Sequence, residues 1–220
     1  MGHRALVAYE RPDSLYNLHY SHWGASDLRL KHAITPETPF GEASSTDGTV
    51  ALFEALTEAY DEEGASHHVG EGSLGTAQVD RDPLAVAVTR EEICNHYLDY
   101  LHHEAFYEVP TDFDVAAYRT FWFGLEYDCE TIDQSSTVGN GALATVRWFD
   151  GHPVGDGFIR GEFRALKDVV GDMIDRGVFT PAIATEYMQA KLADWLTEEQ
   201  DLLVYTPGAS ETVPETDHYL

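Results

Sequence analysis

The sequence predicts a single α+β domain whose mostly antiparallel sheet is opened by an N-terminal β-hairpin and accompanied by about four helices. Strand-like segments dominate the first part of the 220-residue chain and helical patterns the last part, without strict β-α-β alternation. The length suits one domain with its own core, and no repeat or linker divides it. We therefore assign residues 1–206 to this domain and expect residues 207–220, rich in Pro, Ser, Thr and acidic side chains, to form a disordered acidic tail.

The first predicted element is the hairpin. An apolar strand at Ala5–Glu10 is followed by turn-forming residues at 11–14 and by a second strand within residues 15–23, which are rich in Tyr, Leu and His. Because Pro12 cannot adopt a positive φ, we expect a four-residue loop built on a type I turn rather than a primed two-residue turn. The two strands should then pair symmetrically about Pro12 and Asp13.

The later elements are predicted from hydrophobic periodicity and from helix and turn signals. Residues 24–48 and the glycine-rich residues 61–82 are expected to be loops. Thr89 and Glu92 form a capping box, and Thr180 precedes a proline at the first position of another helix. Helices are predicted at residues 50–60, 90–104, 163–176 and from residue 181, and further strands at residues 84–88, 105–109, 118–127, 142–149 and 202–205.

The charge of the chain points to its surroundings. Its net charge is −26, from 39 acidic and 13 basic residues, and only three of the basic residues are Lys. We expect such an acid-rich, Lys-poor surface in a halophilic protein that works in molar salt, where the Debye length falls to roughly 3 Å and like charges hardly interact. The same surface repels phosphate backbones and anionic lipids, so we expect no nucleic-acid or membrane partner, but an unknown protein or small molecule.

Several features predict a cytoplasmic location. The chain enters a strand directly after its first residues, without the apolar stretch of a signal peptide. No apolar run approaches the ~18 residues that span a bilayer. Cys94 and Cys129 make neither a disulfide framework nor a zinc motif. The simplest interpretation is two thiols in a reducing compartment, with a single disulfide between them as the alternative.

The N-terminal segment resembles a known group of proteins. The run GHRALVAY at residues 2–9 and the run YNLHYSHWG at residues 16–24 are similar to those of a family of uncharacterised haloarchaeal proteins. The resemblance implies an intracellular, salt-adapted setting, in agreement with the composition. It implies no particular chemistry.

The eleven histidines are the chain's most unusual chemical resource. Symmetric pairing of the hairpin places His3 opposite His22, on the same sheet face as Tyr20. Directly opposed side chains have Cβ atoms about 4.5–5.5 Å apart, and two imidazoles at that distance can bind a metal or share a proton. The alternative is that both are half-buried strand residues that hydrogen-bond to backbone or tyrosine groups.

A second group of polar residues is predicted on one face of the helix at residues 90–104. His96, Asp99 and His103 follow Glu92 at spacings of four, seven and eleven residues. Imidazole and carboxylate groups together suit a divalent metal such as zinc. The alternative is a solvated polar face opposite the buried one, as amphipathic helices have.

Signals for nucleophilic catalysis are missing from the sequence. It contains no G-x-S-x-G motif, and the G-x-G-x-x-G match at residues 70–75 lacks its strand and helix context. We therefore predict a salt-adapted cytoplasmic interaction or accessory protein, of unknown detailed function and without catalytic activity or a resident cofactor. The alternative is a metal-dependent hydrolase that draws its metal ligands from His3, His22, His96, Asp99 and His103.

Overall fold

The computed structural model describes residues 2–44, 46–58 and 78–206, and within them nine strands form two sheets. The strands are β1 Ala5–Glu10, β2 Tyr16–Ser21, β3 Ala85–Val88, β4 Ala105–Val109, β5 Ala116–Trp122, β6 Gly141–Thr145, β7 Arg147–Phe149, β8 His152–Val154 and β9 Leu202–Tyr205. The main sheet has the order β3-β2-β1-β4-β5-β6-β9, while β7 and β8 pair separately. Every neighbouring pair in the main sheet is antiparallel except β1 and β4. The predicted mostly antiparallel sheet, opened by an N-terminal hairpin, is confirmed.

Five α-helices accompany the sheet in these residues: α1 Leu30–Ala33, α2 Asp47–Glu58, α3 Arg90–Glu92, α4 Asp156–Asp175 and α5 Pro181–Trp195. The α3 helix continues as a π-helical turn over Ile93–Tyr97. It begins at the predicted capping box of Thr89 and Glu92. The α5 helix has Thr180 as its N-cap, followed by a proline. No helix in the described parts of the chain is long and apolar enough to cross a membrane.

The sheet separates two hydrophobic layers. On one face, Val7 and Tyr9 of β1 pack against the segment that carries α1 and α2, and Phe121 of β5 packs against α4 and α5. On the other face, Leu6 and Phe106 pack against the segment that follows α3. Because β1 is covered on both faces, its sequence is a continuous apolar run rather than an alternating one.

The hairpin register differs from the predicted one by one residue. Ala5 pairs with Ser21, so the connecting loop has five residues rather than four. Ser14 in this loop has a positive φ of 64°, and a hydrogen bond from the N–H of Arg11 to the carbonyl of Leu15 closes the loop. Since non-glycine residues seldom adopt a positive φ, the sequence did not reveal the extra loop residue. A slip of one residue moves side chains to the opposite face of a strand.

The helix predicted over residues 90–104 is wrong beyond the π-helical turn. The backbone is extended at Leu98, and the carboxylate of Asp99 accepts hydrogen bonds from the N–H groups of Leu101 and His102. Asp side chains compete in this way with the hydrogen bonds of a helix. The helix face that was predicted to carry Glu92, His96, Asp99 and His103 therefore does not form.

Strand predictions are more accurate than helix predictions. The strands at residues 105–109 and 202–205 are confirmed with these bounds. The strand predicted at residues 118–127 ends at Trp122, and the one predicted at residues 142–149 is divided into β6 and β7.

The α4 helix begins seven residues before its predicted start at residue 163. Gly155, in the left-handed conformation with a φ of 77°, precedes its first turn. Gly157 and Gly161 lie in its first two turns, and glycine is a poor helix former. These glycines hide the helical pattern of the first two turns of α4, so the predicted helix begins only at residue 163.

Parts of two predicted segments lie outside the described residues. The whole tail predicted at residues 207–220 does so, and its disorder stays a prediction. Of the loop predicted at residues 61–82, only the end from residue 78 is described, and this end attaches to the sheet although Asp80 and Asp82 in it are exposed. Val79 is buried in the core, and the N–H of Asp80 donates to the carbonyl of Tyr20 at 2.8 Å.

Candidate anion-binding cleft

The two histidines of the hairpin do not form the predicted pair. In the observed register His3 comes level with Trp23, and their ring centroids lie 6.1 Å apart. His3 Nδ1 lies 3.2 Å from Glu104 Oε2. His22 instead contacts the hydroxyl of Tyr20, which lies 3.1 Å from its Nδ1. Both histidines are exposed, but the one-residue slip of the strands separates them.

His103 and Asp99 stabilise the turn that replaces the end of the predicted helix. The N–H of Asp99 donates to His103 Nδ1 at 3.0 Å, so that nitrogen carries no proton. Burial lowers the pKa of His103 to about 4, which keeps the ring neutral. Burial acts to raise the pKa of Asp99, yet hydrogen bonds from His102 and Thr137 leave it below its ordinary value. The polar atoms of this turn are thus engaged by neighbouring residues.

The five predicted metal ligands do not come together at one point. His96 is exposed on the π-helical turn. The Tyr20 ring lies between those of His22 and His103, with centroid distances of 6.3 and 6.4 Å. Across the described ranges, no group of three or more His, Cys, Asp or Glu side chains is arranged to hold a metal ion. Metal binding by these residues stays a prediction.

The two cysteines are free and buried in different parts of the core, so the alternative of a disulfide between them is wrong. Burial raises the pKa of the Cys94 thiol to about 11. Cys129 lies 3.0 Å from an oxygen of Asp175. Both thiols are buried, whereas activation of a cysteine nucleophile needs accessible, electropositive surroundings.

A cleft forms where β5 extends past the beginning of β4. The ladder between these strands starts at the pair Ala105 and Arg119, so residues 120–122 of β5 pair with β6 alone. The turn at residues 98–104 and the α4 helix flank this unpaired edge. Between them lies a cleft of about 380 Å³, within the size range of small-molecule sites.

One side of the cleft is basic. Arg160, Arg164 and Lys167 on α4 line it, at the spacing that puts side chains on one side of a helix. They are three of only 13 basic residues in the whole chain. Asp128 and Asp168 also line the cleft, so its charge is mixed. Even so, the cleft is much richer in basic groups than the chain as a whole.

The three cations differ in how fully they are engaged. Arg160 Nη2 donates to Glu104 Oε2 at 3.1 Å, and the Arg160 side chain is 40% exposed. Lys167 Nζ lies 2.9 Å from Asp128 Oδ2 and 4.2 Å from the centre of the Trp122 ring. Burial lowers the pKa of Lys167, and Asp128 opposes that effect. Arg164 is exposed and has no hydrogen-bond or ion-pair partner in the part of the chain that the structure describes.

Aromatic side chains form most of the remaining lining. Phe121, Trp122 and Phe163 are buried beneath the cleft, whereas Tyr127 is 74% exposed at its edge. The Tyr127 ring centroid lies 5.8 Å from that of Trp122. Buried rings lower the local dielectric, which strengthens any charge interaction made above them.

The loop that carries Tyr127 is fixed to α4. A Cβ atom on Gly171 would lie 1.7 Å from the carbonyl oxygen of Asp128, so only glycine permits this close approach. The N–H groups of Glu130 and Thr131 both donate to the carboxylate of Asp175. These bonds, with the one from Cys129, lower the pKa of Asp175 to about 2. Backbone contacts thus hold the cleft wall in place.

Arg119 holds the beginning of α4 against the sheet. Its side chain is buried and pairs with Asp156, in the first turn of α4, at 2.7 Å. It also donates to the carbonyl groups of Ala25 and Glu104. This one side chain therefore connects the cleft helix to the N-terminal end of the sheet.

The cleft was not predicted from the sequence, although the sequence contains one signal for it. Residues 160–167 are the only stretch of eight residues in the chain with three basic side chains. In so acidic a chain such a cluster indicates an anion site. The position of the cleft could not be predicted, because it depends on where β4 begins relative to β5.

Comparison with known proteins supplies a family but no function. A family model described as "Family of unknown function (DUF6735)" matches residues 1–204. No curated protein matches the chain, and no solved structure does.

Proposed function

We propose that this chain, which belongs to the DUF6735 family of unknown function, is a non-catalytic binding protein whose cleft takes a small molecule bearing a phosphate or carboxylate group. The observation that carries the proposal is Arg164, an exposed guanidinium without a partner among the described residues, next to Arg160 in a concave site. An anionic ligand is the chemical complement of that arrangement.

The geometry of the two arginines suits a shared anion. Side chains four residues apart on a helix have Cβ atoms about 5–6 Å apart, so the heads of Arg160 and Arg164 can reach the same group of oxygens. Guanidinium forks bind phosphate and carboxylate through paired hydrogen bonds. Glu104 already accepts one hydrogen bond from Arg160, which keeps that side chain oriented toward the cleft.

We also infer that the protein works in the salt-rich cytoplasm of a haloarchaeal cell. The net charge of −26, the two free buried thiols and the N-terminal resemblance support this inference. The Debye length falls from about 30 Å in 0.01 M salt to about 3 Å in 1 M salt, so we expect the melting temperature to rise markedly with KCl. An unchanged melting temperature across that range would contradict the inference.

Calorimetric titration with inorganic phosphate tests the binding proposal. We expect saturable binding to the intact protein and a loss of about 10- to 100-fold in affinity for Arg164→Ala, the size of a charged hydrogen bond. Arg176→Ala is the matched control, because Arg176 is an exposed arginine at the C-terminal end of the same helix that pairs with Asp172 and does not line the cleft. This variant should bind as the intact protein does.

Two results would contradict the proposal. One is that phosphate and small carboxylates such as citrate fail to bind the folded protein at any concentration tested. The other is equal weakening by Arg164→Ala and Arg176→Ala, which would show only the general effect of removing a positive charge. Circular dichroism of each variant confirms that it is folded.

A further inference from the structure

Tyr127 adds a second recognition element to the cleft, and we propose that the ligand carries a flat aromatic ring beside its anionic group, as a nucleoside monophosphate does. This inference rests on the proposed function and names the chemical class of the ligand. The arginines would hold the anion, and Tyr127 would stack on the ring.

Tyr127 is exposed although its backbone is held in place. The side chain is 74% exposed, although the loop on either side of it is tied down. Asp128 lies directly against Gly171 of α4, and the carboxylate of Glu126 accepts a hydrogen bond from the N–H of Ser135 at 2.7 Å. A ring held by a fixed backbone loses little conformational entropy when it stacks on a ligand.

The Tyr127 ring is also oriented by its contact with Trp122. Tyr127 contacts the Trp122 ring at a centroid distance of 5.8 Å and an angle of 53°. Trp122 is itself buried and covered by the ammonium group of Lys167. Trp122 therefore contacts the Tyr127 ring in a tilted arrangement, while the exposed part of the Tyr127 ring remains open to a planar group.

The size and charge of the cleft agree with a ligand of this kind. Tyr127 and Arg164 line the same cleft of about 380 Å³, which lies near the lower end of the range for small-molecule pockets, roughly 300–1,000 Å³. That volume suits one ring and one anionic group rather than a polymer. Lys167, which also lines the cleft, is engaged by Asp128 and Trp122.

Three probe molecules distinguish the contribution of the aromatic ring to the affinity from that of the anionic group. Adenosine 5′-monophosphate has both groups, ribose 5-phosphate has the anion alone, and adenosine has the ring alone. Stacking on an aromatic side chain contributes enough to change affinity by about 5- to 150-fold. We expect the monophosphate to bind tighter than ribose 5-phosphate by a factor in that range, and adenosine to bind more weakly than the monophosphate.

Variants at Tyr127 assign the effect to the ring. Tyr127→Ala should reduce the affinity for adenosine 5′-monophosphate to that for ribose 5-phosphate and leave the affinity for ribose 5-phosphate unchanged. Tyr127→Phe should keep the preference, because it keeps the ring. Tyr187→Ala is the matched control, since Tyr187 is an exposed tyrosine on α5 that does not line the cleft.

The possible failures are distinguishable. Equal affinity for ribose 5-phosphate and the monophosphate would overturn the ring inference and leave the anion site intact. No binding of either phosphate would overturn the proposed function as well. A preference for the monophosphate that survives Tyr127→Ala would also overturn the assignment to Tyr127.

Discussion

The cleft and the histidine-rich end of the sheet, formed by His3, Tyr20, His22, Asp99 and His103, lie side by side. Arg160 and His3 both contact the same oxygen of Glu104. In the histidine-rich end, the Asp99 carboxylate and His103 Nδ1 accept hydrogen bonds from their own turn. In the cleft, Arg164 projects into solvent without a partner among the described residues. The difference shows that residue type alone does not make a site, because polar atoms must also remain available to a ligand.

The largest effect is expected from Arg119→Met, because Arg119 connects the two regions. The change leaves Asp156 as a buried carboxylate without its cation, which typically costs about 3–5 kcal/mol. Urea denaturation in molar KCl measures the loss. Arg147→Met is the control, since Arg147 is exposed on β7. A loss below about 1 kcal/mol for Arg119→Met would show that the regions do not depend on this side chain.

Acid should destabilise the protein through its buried histidines rather than through the cleft. Burial lowers the pKa of His19 and of His103 to about 4 in the fold, whereas an unfolded histidine has a pKa near 6.5. Between these values the unfolded state binds more protons, so stability falls as the pH falls from about 6.5 to 4. We expect a loss of about 1–2 kcal/mol for each histidine between pH 7 and pH 5.

Denaturation curves at pH 7 and pH 5 measure this loss of stability, and variants assign it to individual histidines. His103→Gln should remove the share of His103, and His19→Gln should remove the share of His19. If neither variant reduced the pH dependence, the loss of stability in acid would not come from these two histidines.

A smaller effect, confined to the cleft, is expected from Gly171→Ala. The added Cβ would lie 1.7 Å from the Asp128 carbonyl oxygen, so the cleft wall must move, at roughly 1–3 kcal/mol. Phosphate binding should weaken as well. Gly161→Ala on the same helix meets no atom of the described residues within 4 Å and should stabilise the protein by about 0.5–1 kcal/mol. Equal thermal stability of the two variants would contradict the packing of this wall.

The sequence predicted local features well and long-range ones poorly. Strands β4 and β9 were predicted with their observed bounds, since short apolar runs between turn signals carry their own information. The capping box of Thr89 correctly marked a helix start, but Asp99 ended that helix early through bonds to its own turn. The hairpin was predicted and its register was not, because one residue at positive φ, Ser14, lengthens the loop.

The cleft was beyond the reach of local patterns. It exists because β4 begins at Ala105, level with Arg119, which leaves residues 120–122 of β5 paired with β6 alone among the described strands. That offset is set by pairing between distant parts of the chain. The basic cluster at residues 160–167 was visible in the sequence, but the glycines at the start of α4 obscured the helical turns before residue 163, which carry Arg160.

A backbone amide NMR titration with inorganic phosphate tests most directly whether the cleft, rather than the histidine-rich end, is the binding site. We expect saturable shifts concentrated at residues 120–122 of β5 and 160–168 of α4, with small changes at His22 and His103. Shifts centred on the histidines, or spread evenly over the surface, would contradict an anion site in the cleft.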